Sequence, residues 1–290
     1  MLEVSSSFRV VFKHGHETKN TLLQAAKFDD LARDGFLKEP VRPQQLEFKI
    51  EHATGFLTIH SFAESDIKRS GQQVKKFLDA VFLELKAKHI KHLIVDLRDN
   101  TGGTDSYAVY FARHFFDQPF RYWDRIEVTH AVAKQVKGVY AWFYRKPILQ
   151  DSIWLWQQSR TTREFDFYRQ QQSAKNNYTG KTYLLVNGFC MSSCADVAAV
   201  LSSNKKAVVV GEEAGGAYQG NNSGMMPETP LPQLGFILTV PLQKYVNAVE
   251  NRQPPGHGTV PDYPVAPTVG EAVQGIDTAL KYTIELSRTK

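Results

Sequence analysis

The stretch "NGFCMSSCADVAAV" (187–200) places two serines between two cysteines, where a strand gives way to a helix. A serine at a helix N-terminus can act as a nucleophile, because free N–H groups and the partial positive charge of the helix stabilise an oxyanion. The same position suits an N-cap, and Asp196, three residues after Ser193, would complete an imperfect capping box. From this stretch alone, Ser193 is either a nucleophile or a cap.

A second candidate element is the turn "DLRDNTGG" (96–103), in which Gly102 and Gly103 follow a buried strand. Glycines let the backbone approach a ligand closely and can direct an N–H group into an oxyanion hole. The structural alternative is a tight turn that needs positive φ. We also expect Asp96 and Arg98 to form an ion pair at the end of this strand.

Cys190 and Cys194 are the only cysteines in the chain, so there is no disulfide framework. Their spacing favours two packed, small apolar side chains over a bridge or a metal site. A zinc site needs more ligands than this pair offers. We therefore expect no metal site here, and nothing else in the sequence implies a cofactor.

The glycine-rich segment "GEEAGGAYQGNNSG" (211–224) lacks the Gly-Lys-Ser/Thr ending of a phosphate-binding loop. It is more typical of a loop beside a substrate cleft. The candidate substrate contacts in this loop are Gly215, Gly216 and Tyr218.

The elements that must position these residues alternate between strands and helices, which predicts an α/β fold with a parallel sheet. Residues 1–47 read as an N-terminal arm or the remnant of a preceding, PDZ-like domain, and 48–290 as the core. Aromatic-rich residues 120–180 read as an irregular insertion, either a lid or a packing flap. The expected strands are 4–13, 45–51, 54–62, the apolar start of 92–103, 181–187, 206–213 and 235–242. The expected helices are 65–88, 106–116, 194–204 and a closing helix around 275–286.

The composition of the 290 residues, 42% hydrophobic and 22% charged, is that of a globular protein with a sizeable core. No apolar run approaches the ~20 residues of a membrane span. The net charge of +5 is scattered rather than gathered in a stripe, so nucleic acid is not an expected partner. The first residues lack the pattern of a signal peptide, and we expect a truncated start.

Four stretches in register, spanning about 55–268, resemble the catalytic domain of the C-terminal processing peptidases, also called tail-specific proteases. They are "GFLTIHSF", "LIVDLRDNTGG", "YLLVNGFCMSSCADVAAVLSSNKKAVVVGEEAGG" and "GHGTVPDYPV". The resemblance implies a ClpP/crotonase-like core of spiralled β-β-α units with an N-terminal β arm. It implies that Ser193 is the nucleophile and that the amides of Cys194 and of Gly102 or Gly103 form the oxyanion hole. A peptide substrate would bind in extended form along a strand edge.

The general base departs from the best-known pattern of this family. Many members place a lysine in the loop after "VVVGE", where this chain has Ala217. A lysine-less branch, typified by the tricorn protease, uses a histidine and a carboxylate, and the chain resembles this branch more closely. His60 and Glu250 are the candidates here, against the plainer readings of a polar strand end and a surface glutamate. Other possibilities are the Gly15–His16 pair and a base outside this sequence.

These features predict the catalytic domain of a serine endopeptidase that acts on proteins or peptides. The alternative is a binding module on the same fold without catalysis, since a serine is a poor nucleophile without a base. The resemblance implies a periplasmic or cell-envelope location. The oligomeric state is not predicted.

Overall fold

The computed structural model describes residues 6–27, 42–157, 159–160 and 166–289, and divides the chain into two compact units, 1–43 and 44–290. In the first unit, β1 (Ser7–His14) and β2 (Glu17–Gln24) form an antiparallel hairpin. The second unit already includes the strand that begins at Leu46, so the division falls a few residues before the expected boundary at 47/48.

The second unit contains fifteen described strands and eight described α-helices. The strands are β3 (Leu46–Glu51), β4 (Thr54–Ile59), β5 (His92–Asp96), β6 (Phe120–Arg121), β7 (Trp123–Val128), β8 (Ile148–Gln150), β9 (Ile153–Leu155), β10 (Gln170–Gln171), β11 (Lys181–Val186), β12 (Val208–Gly211), β13 (Gly220–Ser223), β14 (Glu228–Leu231), β15 (Phe236–Thr239), β16 (Gln243–Asn247) and β17 (Tyr263–Pro264). The helices are α1 (Glu64–Arg69), α2 (Val74–Ala87), α3 (Asp105–Ala112), α4 (His130–Gln135), α5 (Val139–Tyr144), α6 (Ser193–Ser203), α7 (Val269–Val273) and α8 (Thr278–Thr289).

A six-stranded sheet forms the centre of this unit, in the order β17-β12-β11-β5-β4-β3, and it is parallel except for β3. Its central strands are continuous apolar runs, as expected for strands buried on both faces. Helices α2, α3 and α6 contribute to the main core on one face, whereas α8 packs on the other face against Ile94 and Tyr183. The expected α/β class is confirmed.

A second sheet, antiparallel and five-stranded, has the order β13-β16-β7-β9-β8. Three of its strands lie within 120–180, so the expectation of an irregular insertion is corrected. These strands have only three to six residues, too short to show a clear periodicity. The rings of Trp123 and Tyr245 stack with centroids 4.1 Å apart and join the insertion to the later part of the chain.

Two other expectations concern local structure. The helix expected over 65–88 is two helices, because Gly71, at φ 71°, follows the end of α1. The predicted ion pair is confirmed: Arg98 Nε donates to Asp96 Oδ1 over 2.9 Å, and Arg98 also binds Asp277 at the start of α8. Among the described helices, none has the length and apolar character to cross a membrane.

Candidate active site

The turn between β11 and α6 carries two adjacent serines in different backbone conformations. Ser192 is the N-cap residue, with φ 50° and ψ −132°. A non-glycine residue at such a position is uncommon and costs about 1–3 kcal/mol, and this kind of strain clusters at active sites. The Cys194 amide donates to the Met191 carbonyl over 3.0 Å and closes the turn. Hydrolases present a nucleophilic serine on a sharp strand-to-helix turn of this kind.

Only one of the two serines borders the neighbouring cleft. Ser193, the first residue of α6, is 0% exposed, and its Oγ has no hydrogen-bond partner among the described residues. Ser192 is partly exposed and lines the cleft. The structure therefore places Ser193, the predicted nucleophile, in the core, because successive residues at the start of a helix point about 100° apart.

The cleft beside Ser192 has a volume of about 880 Å³, within the usual range for ligand sites. Its wall combines the apolar or aromatic residues Phe167, Met226 and Tyr245 with backbone from the Gly103 turn, and none of its lining residues is a histidine. No group of three or more histidine, cysteine or acidic side chains in the described part of the chain could hold a metal ion.

The Gly102–Gly103 turn packs directly against the serine turn. A Cβ atom on Gly102 would lie 2.7 Å from Ser192 Cβ and 3.1 Å from the Ser193 nitrogen, so only glycine permits this approach. The Phe62 amide donates to the Gly102 carbonyl, and the Thr104 amide donates to the Phe62 carbonyl. The N–H of the intervening Gly103 points away from Phe62, as alternate residues of a β-bridge do.

The hydrogen bonds of this region distinguish free amides from occupied ones. The Cys194 amide is bound to Met191, and the Gly102 amide donates to Asn100 Oδ1 over 2.9 Å. These two predicted oxyanion donors are therefore already engaged. The amides of Gly103 and Ser193 have no acceptor within the described ranges. They are the pair available for an oxyanion.

Asn100 is a positioning residue that sequence reasoning missed. It is 0% exposed. Its Nδ2 donates to the Ile59 carbonyl over 2.9 Å, its Oδ1 accepts from Gly102, and its carbonyl accepts from the Met191 amide over 3.2 Å. It thus ties the end of β4, the glycine turn and the serine turn together. The only sequence signal was an asparagine two residues before the two glycines.

Asp196 is a buried carboxylate one helical turn after Ser192. It accepts hydrogen bonds from Asn221 Nδ2 (2.7 Å), Asn247 Nδ2 (3.1 Å) and Trp123 Nε1 (3.4 Å). These donors lie on three strands of the second sheet, so the carboxylate anchors α6 to it. Burial raises the pKa of Asp196 to about 6, against the opposing effect of the three donors. Asp196 therefore does not act as the capping-box partner of Ser193.

A disulfide joins Cys190 to Cys194, with the Cα atoms 5.4 Å apart. The expectation of two packed, unbridged cysteines is corrected. The bridge encloses Met191, Ser192 and Ser193, and both cysteines are 0% exposed. It restrains the turn that carries Ser192.

The structure does not bring His60 to the serine. His60 shares the side of β4 that carries Phe56, which packs in the smaller core with α8, because side chains alternate along a strand. Helix α6 packs on the opposite face with Leu57 and Ile59. The His60 Nε2 lies 3.0 Å from Glu47 Oε1, on the neighbouring edge strand.

Glu250 also lies away from Ser192. Its amide donates to Ser203 Oγ over 2.8 Å, at the far end of α6, and its carboxylate binds Arg252 Nε at 2.6 Å. A helix of this length spans about 16 Å, so Glu250 and Ser192 are at opposite ends.

The three candidate substrate contacts of the glycine-rich segment do not line the cleft, although its last two residues, Ser223 and Gly224, do. A Cβ on Gly216 would lie 3.3 Å from the Ser192 nitrogen and collide with Ala195. Gly215 lies against the Gly188 carbonyl. Tyr218 is 1% exposed and borders a different pocket, beside Ser202.

The profile of peptidase family S41 matches residues 53–265, which is most of the chain. The chain belongs to peptidase family S41. This confirms the resemblance to the C-terminal processing peptidases. No functionally curated protein matches this S41 chain.

Solved structures agree with this assignment at the level of the fold. A candidate peptidase from Parabacteroides merdae has 20% identity and a TM-score of 0.56, with coverage of 90% of this chain and 70% of that one. Mature CPAF has 13% identity and a TM-score of 0.53, with 91% and 63% coverage. A candidate S41 protease from Bacteroides fragilis has 13% identity and a TM-score of 0.50, with 98% and 66% coverage. This S41 chain thus spans less than two thirds of the length of the last two structures.

Proposed function

We propose that this chain is the catalytic domain of a serine peptidase that hydrolyses peptide bonds of protein substrates, with Ser192 as the nucleophile. The observation that carries the proposal is the strained Ser192 at the mouth of α6, on a cleft, with the Gly102 turn packed against it. Membership of family S41 supports peptidase function in general.

In this proposal Ser192 Oγ attacks the scissile carbonyl, and the amides of Gly103 and Ser193 donate to the resulting oxyanion. Each such donor typically contributes about 3 kcal/mol to transition-state stabilisation. The positive end of the α6 dipole adds to this stabilisation. Asn100 and the disulfide hold the two turns in register, so the donors need not reorganise during the reaction.

The proton of the Ser192 hydroxyl needs an acceptor. Ala217 occupies the place of the lysine that many relatives use, His60 faces the other side of the sheet, and Glu250 lies beyond the far end of α6. Among the described residues that line the cleft there is no histidine, although Asp105 and Lys75 are among them. The lack of a histidine in the cleft and of a lysine at position 217 favours a second candidate function, a module that binds extended peptides without cleaving them.

Hydrolysis of a fluorogenic protein substrate by matched variants decides between the two functions. The peptidase proposal expects turnover by the wild type and by Ser193→Ala, and loss of turnover in Ser192→Ala. Loss in Ser193→Ala with retention in Ser192→Ala would contradict the assignment of Ser192. If the chain is a binding module, none of the three proteins should hydrolyse the substrate, and all three should still bind it.

We also propose that the protein works in an oxidising compartment such as the periplasm or cell envelope. The buried Cys190–Cys194 bridge supports this, because disulfides persist in such compartments and are rare in the cytosol. Alkylation of the native host's cells at harvest, followed by mass spectrometry, tests it. Unmodified, bridged cysteines are expected, and two alkylated thiols would refute the location.

A further inference from the structure

The hairpin of β14 and β15 is exposed and almost uncharged. Residues 224–242, "GMMPETPLPQLGFILTVPL", contain a single charged residue, Glu228. Leu234, Phe236 and Ile237 are each more than 60% exposed, and Leu238 is 48% exposed. Exposed apolar surface of this extent on a soluble domain indicates a binding surface.

The two strands have no described neighbour on either side. They form their own two-stranded sheet, and side chains on both of its faces are exposed. A two-stranded ribbon alone is marginally stable in water and gains from a third strand or a covering surface. The hairpin is therefore suited to accept an added strand.

The hydrogen-bond register shows which edge is open. The Val240 amide donates to the Pro227 carbonyl, so residues 240, 238 and 236 direct their backbone groups toward β14. The backbone groups of Ile237 and Thr239 then point outward. On the other edge the outward residues are Glu228 and Pro230, and proline has no N–H to donate. The outer edge of β15 is therefore the one whose outward residues all keep an N–H donor.

The hairpin begins at the serine cleft, on the side of β14. Ser223, Gly224 and Met226, which lead into the hairpin, line the same cleft as Ser192. A chain bound in extended form at Ser192 therefore has the hairpin within its reach.

We propose that the outer edge of β15 pairs with an extended, apolar segment of the substrate polypeptide, outside the segment that is cleaved. This inference rests on the proposed function and names the class of substrate: unfolded chains with an uncharged, β-prone stretch near the cleavage site. Main-chain hydrogen bonds from Ile237 and Thr239 supply affinity, and the exposed side chains of the hairpin supply the preference for apolar partners.

The substitution Thr239→Pro tests this, because it removes an outward N–H and leaves the inward bonds of 238 and 240 in place. Glu228→Pro is the matched control, since it alters the opposite, already blunted edge. For a long peptide with an apolar extension, Thr239→Pro should raise KM about fivefold without changing kcat, the effect of losing one hydrogen bond. A short peptide that fills only the cleft, and the Glu228→Pro variant on either peptide, should behave as the wild type does.

A binding measurement keeps the inference testable if no peptide is hydrolysed. Fluorescence anisotropy of the labelled long peptide on Ser192→Ala should show Kd rising about fivefold when Thr239→Pro is added. Equal KM or Kd for Thr239→Pro and its parent would overturn the inference. So would a wild-type dimer that Thr239→Pro converts to monomer, or wild-type binding to neutral phosphatidylcholine vesicles that this variant abolishes, because the edge then serves another partner.

Discussion

Replacing Ser192 by glycine and by alanine separates the backbone strain of this residue from its chemistry. At φ 50° and ψ −132° the backbone strain of a serine or alanine destabilises the folded state by about 1–3 kcal/mol, and glycine does not have this strain. Glycine in turn loses about 0.4–1 kcal/mol through the greater freedom of the unfolded chain. Ser192→Gly should therefore unfold with a free energy about 1 kcal/mol higher than Ser192→Ala.

Position 193 supplies the internal control for this comparison. Ser193 is the first residue of α6 and is not among the described residues with positive φ. There the ordinary helix preference applies, and Ser193→Gly should be about 0.5–1 kcal/mol less stable than Ser193→Ala. The order of glycine and alanine is thus expected to reverse between two adjacent residues.

Urea unfolding followed by tryptophan fluorescence measures all four variants under the same conditions. Both Ser192 variants should also lose hydrolysis by roughly a thousandfold or more. An alanine at 192 as stable as the glycine, or the same order at both positions, would refute the claim that Ser192 is held in a strained conformation.

Three further variants test the groups that support Ser192. The raised pKa of Asp196 means that its contribution to folding is present below its unfolded pKa and is lost as the pH rises through about 6. The free energy of unfolding of the wild type should therefore fall by about 2 kcal/mol between pH 4 and 7 because of this group. In urea titrations, Asp196→Asn should lack this pH-dependent fall in the free energy of unfolding. The same pH dependence in the wild type and the variant would contradict its assignment to Asp196. Asn100→Ala should lower the free energy of unfolding by about 2–3 kcal/mol and kcat by 10- to 100-fold, because the glycine and serine turns lose their common link. An unchanged kcat would contradict the positioning role of Asn100. Replacing both Cys190 and Cys194 by alanine should lower the free energy of unfolding by about 2 kcal/mol. The wild type in reductant should then unfold at the same urea concentration as this variant. No effect of reductant on the wild type would argue against the bridge.

The strand and helix order of the main sheet could be predicted, because its elements are long enough to show their periodicity. For the nucleophile, the resemblance named Ser193, whereas our proposal from the structure names Ser192. Ser192 and Ser193 are adjacent and identical, and the choice depends on close packing of Gly102 and Gly216, which come from distant parts of the chain. Only three-dimensional contacts distinguish them.

The candidates for the base show where the resemblance was insufficient. Glu250 came from the resemblance and His60 from its place at the end of a strand, and neither argument gave the face on which the side chain lies. The alternation along β4 already placed His60 with Phe56 rather than with Leu57, a signal that was present in the sequence. Nothing local indicated that Glu250 would lie at the far end of α6, because its position follows from the pairing of β16 with β7 and β13.

The central claim is that the hydroxyl of Ser192, and not that of its neighbour, is the reactive group. A fluorophosphonate forms a covalent adduct with an activated serine, and fragmentation of the 187–200 peptide locates the adduct to a single residue. The account predicts the adduct on Ser192, its absence in Ser192→Ala and its persistence in Ser193→Ala. An adduct on Ser193, or none on either serine in a protein that hydrolyses peptides, would contradict it.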